Sequence, residues 1–240
     1  EKSANPRIKN DALKHFRHHF ENFIRLLTIS RTENDVAWKA AQHLLDLREP
    51  PENGLGYGGS GRSGSSRPDS IREAILRTSK EIVELGFDDP EMISLMGFFE
   101  EKVGPDTISD FTTRVILKDL AAITEEFCET YGVSVQENGV IDNISLPIYT
   151  GENGRKKIIV LVPFDIVRDL PVANDWSDIE NAAFQNAEIR NRVNSYLGSI
   201  AMPTVADRKA ALRQVALGSA DDFKRFLATV KEHTTYYDTN

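Results

Sequence analysis

A chain of 240 residues, 40% of them hydrophobic, can bury one large core or two small ones. Its net charge of −8 argues against a whole-surface attraction to nucleic acid or anionic lipid, and leaves room only for a local basic patch. The single cysteine, Cys128, excludes an internal disulfide, and no apolar run approaches the ~18 residues of a membrane span; the expectation is a cytoplasmic protein with no membrane contact.

In chain order, Asp11 to Ile29 predicts a helix, because Leu13, Phe16, Phe20, Phe23, Ile24 and Leu27 recur at three- and four-residue steps. Asp35 to Asp46 predicts a second helix, closed by Pro50 and Pro51. Residues 54–68 form a glycine- and serine-rich loop. A third helix follows, with Ser70 and Glu73 spaced as a capping box and Gly86 as its stop. Asp89-Pro90 opens a short fourth helix that is apolar nearly all round, which places it centrally. Asp106 is the expected N-cap of a long fifth helix, Thr107 to Tyr131, whose stripe includes Phe127 and Tyr131 and whose stop is Gly132.

Beyond Gly132 the period changes to two. Val133 to Gln136, Ser145 to Tyr149 and Lys157 to Val162 read as strands, with Gly151-Glu152-Asn153-Gly154 as a hairpin turn between the last two. Ile158 to Val162 is apolar on both faces and is expected to be covered on both. Three further helices follow. Asp175 or Ser177 caps the first, which runs through Ile189, Val193 and Leu197. Thr204 and Asp207 begin the second, and the last spans Ala220 to about His233. The fold class predicted is α+β, predominantly helical with a small central sheet or hairpin of about three strands. Residues 1–132 form a helical block and residues 133–240 the sheet with the C-terminal helices, packed on the first block as one unit.

Several clusters have residue types that could support chemistry. Gly56-Tyr57-Gly58-Gly59-Ser60-Gly61 imitates a dinucleotide fingerprint, and Gly61-Arg62-Ser63 imitates a P-loop end. Both motifs need a strand immediately before and a helix immediately after, so that backbone amides and the helix dipole converge on phosphate. Here a helix and two prolines precede, which favours a surface loop. Arg62 and Arg67 with the loop amides remain candidates for phosphate or nucleic-acid backbone. Lys156 and Lys157, beside Arg155, form the compact basic cluster. His15 and His19 lie four apart and could share a metal; a solvated helix flank is the simpler reading. Asp106 and Asp110, also four apart, could hold Mg2+ for phosphodiester cleavage, against a capped helical turn as the plainer alternative. A nuclease set from Asp142, Glu152 and Lys156 or Lys157 has the wrong spacing. Cys128 reads as a buried helical residue.

The run Phe99 to Thr113, centred on Gly104-Pro105-Asp106-Thr107-Ile108-Ser109-Asp110, resembles a stretch in a family of large bacterial proteins found among mobile-element and phage-defence genes. Gly54 to Gly58, Ile159 to Pro163, Asp169 to Pro171, Asn194 to Gly198 and Asp207-Arg208-Lys209 are similar as well, so the resemblance covers most of the chain. In that family a restriction-endonuclease-like domain of the PD-(D/E)XK type tends to follow this region. The resemblance implies an N-terminal module that senses, binds a protein partner or oligomerises, cut from a longer chain. It brings no catalytic residues to these positions. The alternatives are a metal-dependent nuclease or hydrolase using Asp106 and Asp110, and an interaction scaffold with no nucleic-acid role.

Overall fold

A computed structural model describes residues 3–47, 69–151, 154, 156–166, 186–198 and 200–233. The chain is α+β and predominantly helical. Among the described residues its strands form two antiparallel two-stranded sheets. It divides into two compact units that interleave along the sequence.

The first unit takes its described residues from 3–19, 46–47 and 109–166. A turn of π-helix, Ile8–Ala12, leads into α1 (Leu13–Ile29), of which the residues up to His19 belong here. Helix α5 (Pro105–Val115) enters the unit at Ser109, and α6 (Leu117–Tyr131) follows it directly. The single helix expected over 107–131 is therefore two. Ile116 adopts φ −102° and ψ 13°, outside helical geometry, and starts α6 without a side-chain cap. Leu120, Ala121 and Ile116 pack with Ile8, Ala12, Leu146 and Val160 into one core.

The sheet region differs in detail from the sequence pattern. Strand β1 (Gln136–Ile141) pairs with β2 (Ile144–Leu146), and β3 (Ile148–Thr150) pairs with β4 (Lys156–Ile158). Asp142 and Asn143 make the first turn, both at positive φ (50° and 66°), the geometry that suits a two-residue hairpin. The strand expected over 145–149 is cut at Pro147, which has no N–H for a ladder, so its halves belong to different sheets. The turn between β3 and β4 closes as expected, with the Gly154 N–H donating to the Gly151 carbonyl (2.9 Å). Past Ile158 the chain leaves the ladder, and only Val160 of the apolar run 158–162 is fully buried. Its backbone is held instead by Ile159 N–H to the Pro147 carbonyl (2.9 Å) and by Leu161 N–H to Thr124 Oγ1 (2.8 Å).

The second unit takes its described residues from 20–45, 69–108 and 186–233. It contains the rest of α1, then α2 (Val36–Leu44), α3 (Asp69–Glu84), a 3₁₀ turn Pro90–Leu95 running into α4 (Met96–Phe99), α7 (Ala187–Leu197), α8 (Val205–Ala216) and α9 (Ala220–His233). Asp35 caps α2 by accepting from Trp38 N–H (2.7 Å), Arg31 N–H (2.8 Å) and Thr32 N–H (3.2 Å). Those donors hold its carboxyl at about 2. Helix α3 already includes Ser70, and Glu73 accepts from Gln42 Nε2 (2.7 Å), so the expected capping box is replaced by a bond to α2. Gly86 stops the helix at φ 86°, as its position requires. Thr204 and Asp207 begin α8 as expected, and do so through a reciprocal box; Asn186 caps α7 by accepting from Glu188 and Ile189 N–H. The residues named as alternative caps, Asp175 and Ser177, lie outside the described residues.

The core of this unit is aromatic. Phe226 of α9 meets Phe98 at 5.8 Å and Phe99 at 5.1 Å between ring centres, and Phe223 meets Phe87 at 4.6 Å. The apolar fourth helix is buried as its composition predicts, from Met92 to Phe99. No helix among the described residues is long and apolar enough to cross a membrane.

Candidate functional site

The Gly104–Asp110 segment begins α5, but not as its spacing suggests. The Gly104 carbonyl accepts from both Thr107 N–H (3.0 Å) and Ile108 N–H (3.2 Å), so Gly104 occupies the cap position and Pro105 the first turn. Proline is favoured there because its missing N–H is one the helix could not satisfy. Asp106 is thus a first-turn acid and not the N-cap. Its Oδ1 lies so near Gly104 that a Cβ added there would meet it at 3.0 Å. Such an acid stabilises the positive helix end by about 0.3–1 kcal/mol.

Asp106 is exposed, whereas Asp110, one turn on, is buried at 6% exposure. Helical spacing puts the two on one side, but only one of them faces water. That separates the carboxylates in environment and argues against a shared hydrated Mg2+, which keeps several waters and needs open ligands. Among the described residues no group of three His, Cys, Asp or Glu side chains converges on a metal position.

The loop before this segment is anchored by Lys209, from the Asp207-Arg208-Lys209 stretch. Lys209 of α8 is buried, and its Nζ donates to the carbonyls of Glu100 (3.1 Å) and Val103 (3.3 Å). Burial pushes its ammonium pKa down, with Glu100 and Glu101 acting the other way. Arg213, one turn later, donates from Nε to Thr78 Oγ1 (3.0 Å) and from an NH2 group to Glu81 (2.6 Å), while Thr78 donates to Glu100. Two stretches far apart in sequence, Phe99–Gly104 and Asp207-Arg208-Lys209, therefore meet in one unit through a lysine. The sequence marked both stretches without indicating that Lys209 joins them.

The histidine pair resolves into two different contacts. His15 Nδ1 lies 3.0 and 2.9 Å from the two carboxylate oxygens of Asp119. His19 instead sets its ring edge against Phe111, with centroids 6.0 Å apart. A carboxylate only accepts, so the contact requires a hydrogen on His15 Nδ1. Asp119 is buried while half of the His15 side chain faces solvent. The contact fixes the orientation of the imidazole ring. Asp119 was missed at the sequence level. Its one available signal is a charged side chain between the core positions Ile116 and Leu120.

The remaining candidates are dispersed. Arg62 and Arg67 lie outside the described residues, with the whole glycine loop. Lys156 and Lys157 are exposed on β4, opposite Thr150 and Tyr149. Asp142 sits in the β1–β2 turn and pairs with Lys118 of α6 (2.6 Å), so it is engaged away from β4. Glu152 lies outside the described residues. Cys128 is buried, and burial raises its thiol pKa, which disfavours the nucleophilic thiolate.

Neither the curated proteins nor the solved structures contain a match to this chain. Residues 1–174 match the family described as a domain of unknown function (DUF8370). That span includes the Gly104–Asp110 segment, the His15–Asp119 pair and both sheets, and the chain belongs to this family.

Proposed function

We propose that the chain is a non-catalytic recognition module of a bacterial antiviral or mobile-element protein linked to a nuclease, acting by binding a protein partner. The observation that carries this reading is how polar and apolar groups are distributed. Charged groups that could have served chemistry are engaged inside the units: Asp119 by His15, Lys209 by two carbonyls, Glu100 by Thr78 and Arg213. Large apolar side chains stay in water instead, among them Phe127, Tyr131, Tyr196 and Met202. Of these, Phe127 and Tyr131 pack on each other in one unit, and an exposed apolar cluster supports contact with another macromolecule.

Two measurements test it. Incubation of the purified chain with plasmid DNA and Mg2+ or Mn2+ is expected to leave the DNA intact. Metal-supported cleavage that disappears in Asp110→Asn would establish the hydrolase reading instead. Sequencing of the gene beyond the codon for Asn240 is expected to reveal a PD-(D/E)XK-type domain in the same reading frame or the adjoining gene; its absence from both removes the nuclease link.

A further inference from the structure

We propose that Met202 is an oxidation site at which a peroxide turns the apolar loop between α7 and α8 polar, reversibly and without unfolding the chain. The chain has one cysteine and three methionines. Three of these four sulfurs are shut away. Met92 lies in the 3₁₀ turn at 3% exposure, and Met96 begins α4 fully buried. Cys128 would ordinarily compete for an oxidant through its thiolate, the stronger nucleophile. It is buried on α6, and burial raises its thiol pKa, so the thiolate is scarce. Met202 alone stands in solvent, 88% exposed. Oxidation of sulfur follows access and, for cysteine, thiolate character, so both criteria select the same atom.

The surroundings of Met202 make the change count at the surface and not in the core. Tyr196, Ile200 and Val205, close to it in the chain and in the same unit, are exposed large apolar side chains, and Met202 is the most exposed of the four. The backbone is fixed on either side of it. Ile200 N–H donates to the Leu197 carbonyl (2.8 Å), and past Pro203 the reciprocal Thr204–Asp207 box starts α8. None of these bonds uses the Met202 side chain. In the reaction the thioether sulfur gives a lone pair to one oxygen of hydrogen peroxide. A sulfur–oxygen bond forms and the oxygen–oxygen bond breaks. The sulfur is oxidised by two electrons, the peroxide is reduced, and the departing hydroxide takes the proton of the transferred oxygen and leaves as water. The sulfoxide replaces a flexible apolar side chain with a polar one. A methionine sulfoxide reductase reverses the step with two thiols, which leave as a disulfide while the oxygen leaves as water.

The probe is hydrogen peroxide on the full chain, with each sulfur followed by peptide mass spectrometry over time. One oxygen is expected to appear at Met202 first, at least about tenfold faster than at Met92 or Met96, with Cys128 still a free thiol. The singly oxidised chain should melt as the untreated chain does and elute earlier from a hydrophobic-interaction column. Methionine sulfoxide reductase with dithiothreitol should restore the original elution. Met202→Leu keeps the loop apolar without a sulfur, so peroxide should leave its elution unchanged. Met202→Gln should elute early without any peroxide. Melting curves confirm that both variants fold, as a side chain in solvent allows. The proposal is overturned if Met92, Met96 or Cys128 takes up oxygen as fast as Met202, or if single oxidation abolishes the cooperative melt. It is also overturned if oxidation at Met202 leaves the elution unmoved, if the reductase does not restore it, or if Met202→Leu shows the same peroxide-driven change. None of these outcomes depends on a partner, so each bears on Met202 alone and leaves the module reading to its own tests.

Discussion

Lys209 shows how one buried side chain can organise a segment that carries none of its atoms. The carbonyls of Glu100 and Val103 follow α4; the ammonium supplies donors to both, and Val103 N–H is a second, longer donor to Glu100 (3.4 Å). Lys209→Met keeps the stem and removes the donors, so the Val103 carbonyl loses its ammonium partner and the Glu100 carbonyl keeps only the long bond from Val103 N–H. The expected loss is about 1.5–3 kcal/mol, the range for hydrogen bonds to a charged group, measured by urea denaturation. The pH dependence has a definite sign. With the folded pKa below the ordinary lysine value of 10.5, the folded chain binds fewer protons than the unfolded chain between the two values. The wild-type advantage over Lys209→Met should therefore grow as pH rises through that window and level off above 10.5. A shrinking advantage would mean that the ammonium, and not merely the amine, is what the carbonyls require. Asp119 permits a separate test. In wild type, nitrogen NMR should find the His15 hydrogen on Nδ1, and Asp119→Asn should mix the tautomers, because an amide can donate as well as accept. An unchanged tautomer would remove Asp119 as the orienting group.

At the level of elements, local signals were read well where a single residue controls the geometry. Gly86, Gly132, Thr204 with Asp207, and the glycine turn after β3 all act where the sequence placed them. They are legible because a cap or a positive φ restricts the residue that can serve. The misreadings share a cause as well. Asp106 satisfies the composition of an N-cap, but Gly104-Pro105 supplies another start two residues earlier, and proline at the first position decides between them. The break at Ile116 has no breaker residue, so an apolar period that continues across it hides two helices. Pro147 was a visible breaker whose effect went unread. Two glycines give the energetic scale. Gly132→Ala should cost about 1 kcal/mol from the positive φ alone. Gly139→Ala should cost more, roughly 1–3 kcal/mol, because a Cβ there would meet the Leu146 carbonyl and Ile148 at 2.9 Å. Thermal melts that reverse this order would show that the strands give way more easily than the helix end.

For the molecule as a whole, the fold class was evident from the change of period, whereas the two compact units were not. Hydrophobic spacing reports which face of a helix is buried and is silent about what buries it. Each unit gathers segments far apart in sequence, and α1 and α5 each contribute residues to both. The same limit explains the site: Asp119 and Lys209 were in plain view, but their partners are 104 and more than 100 residues away. Because each unit has its own core, both should be sensitive to truncation. Phe226→Ala in the aromatic core is expected to cost about 3–5 kcal/mol and Leu120→Ala in the smaller one about 2–5 kcal/mol, by chemical denaturation. Values under about 1 kcal/mol at either position would show that its cavity collapses freely.

Lys209 has a counterpart in Lys80, whose Nζ donates to the carbonyls of Leu27 (2.8 Å) and Ser30 (2.9 Å) at the end of α1. Both side chains are largely shielded and their N–H groups are tied to two carbonyls, so a reagent reaches either nitrogen only when that contact opens. In native acetylation with a dilute acylating reagent, followed by mass spectrometry, these two lysines should be the last to react, well behind exposed Lys118 and Lys157. Early modification of either would mean that its helix end opens on the timescale of the reagent. Lysine acylation thus becomes a direct reporter of local opening at two named places in the fold, without a mutation and without a partner in hand.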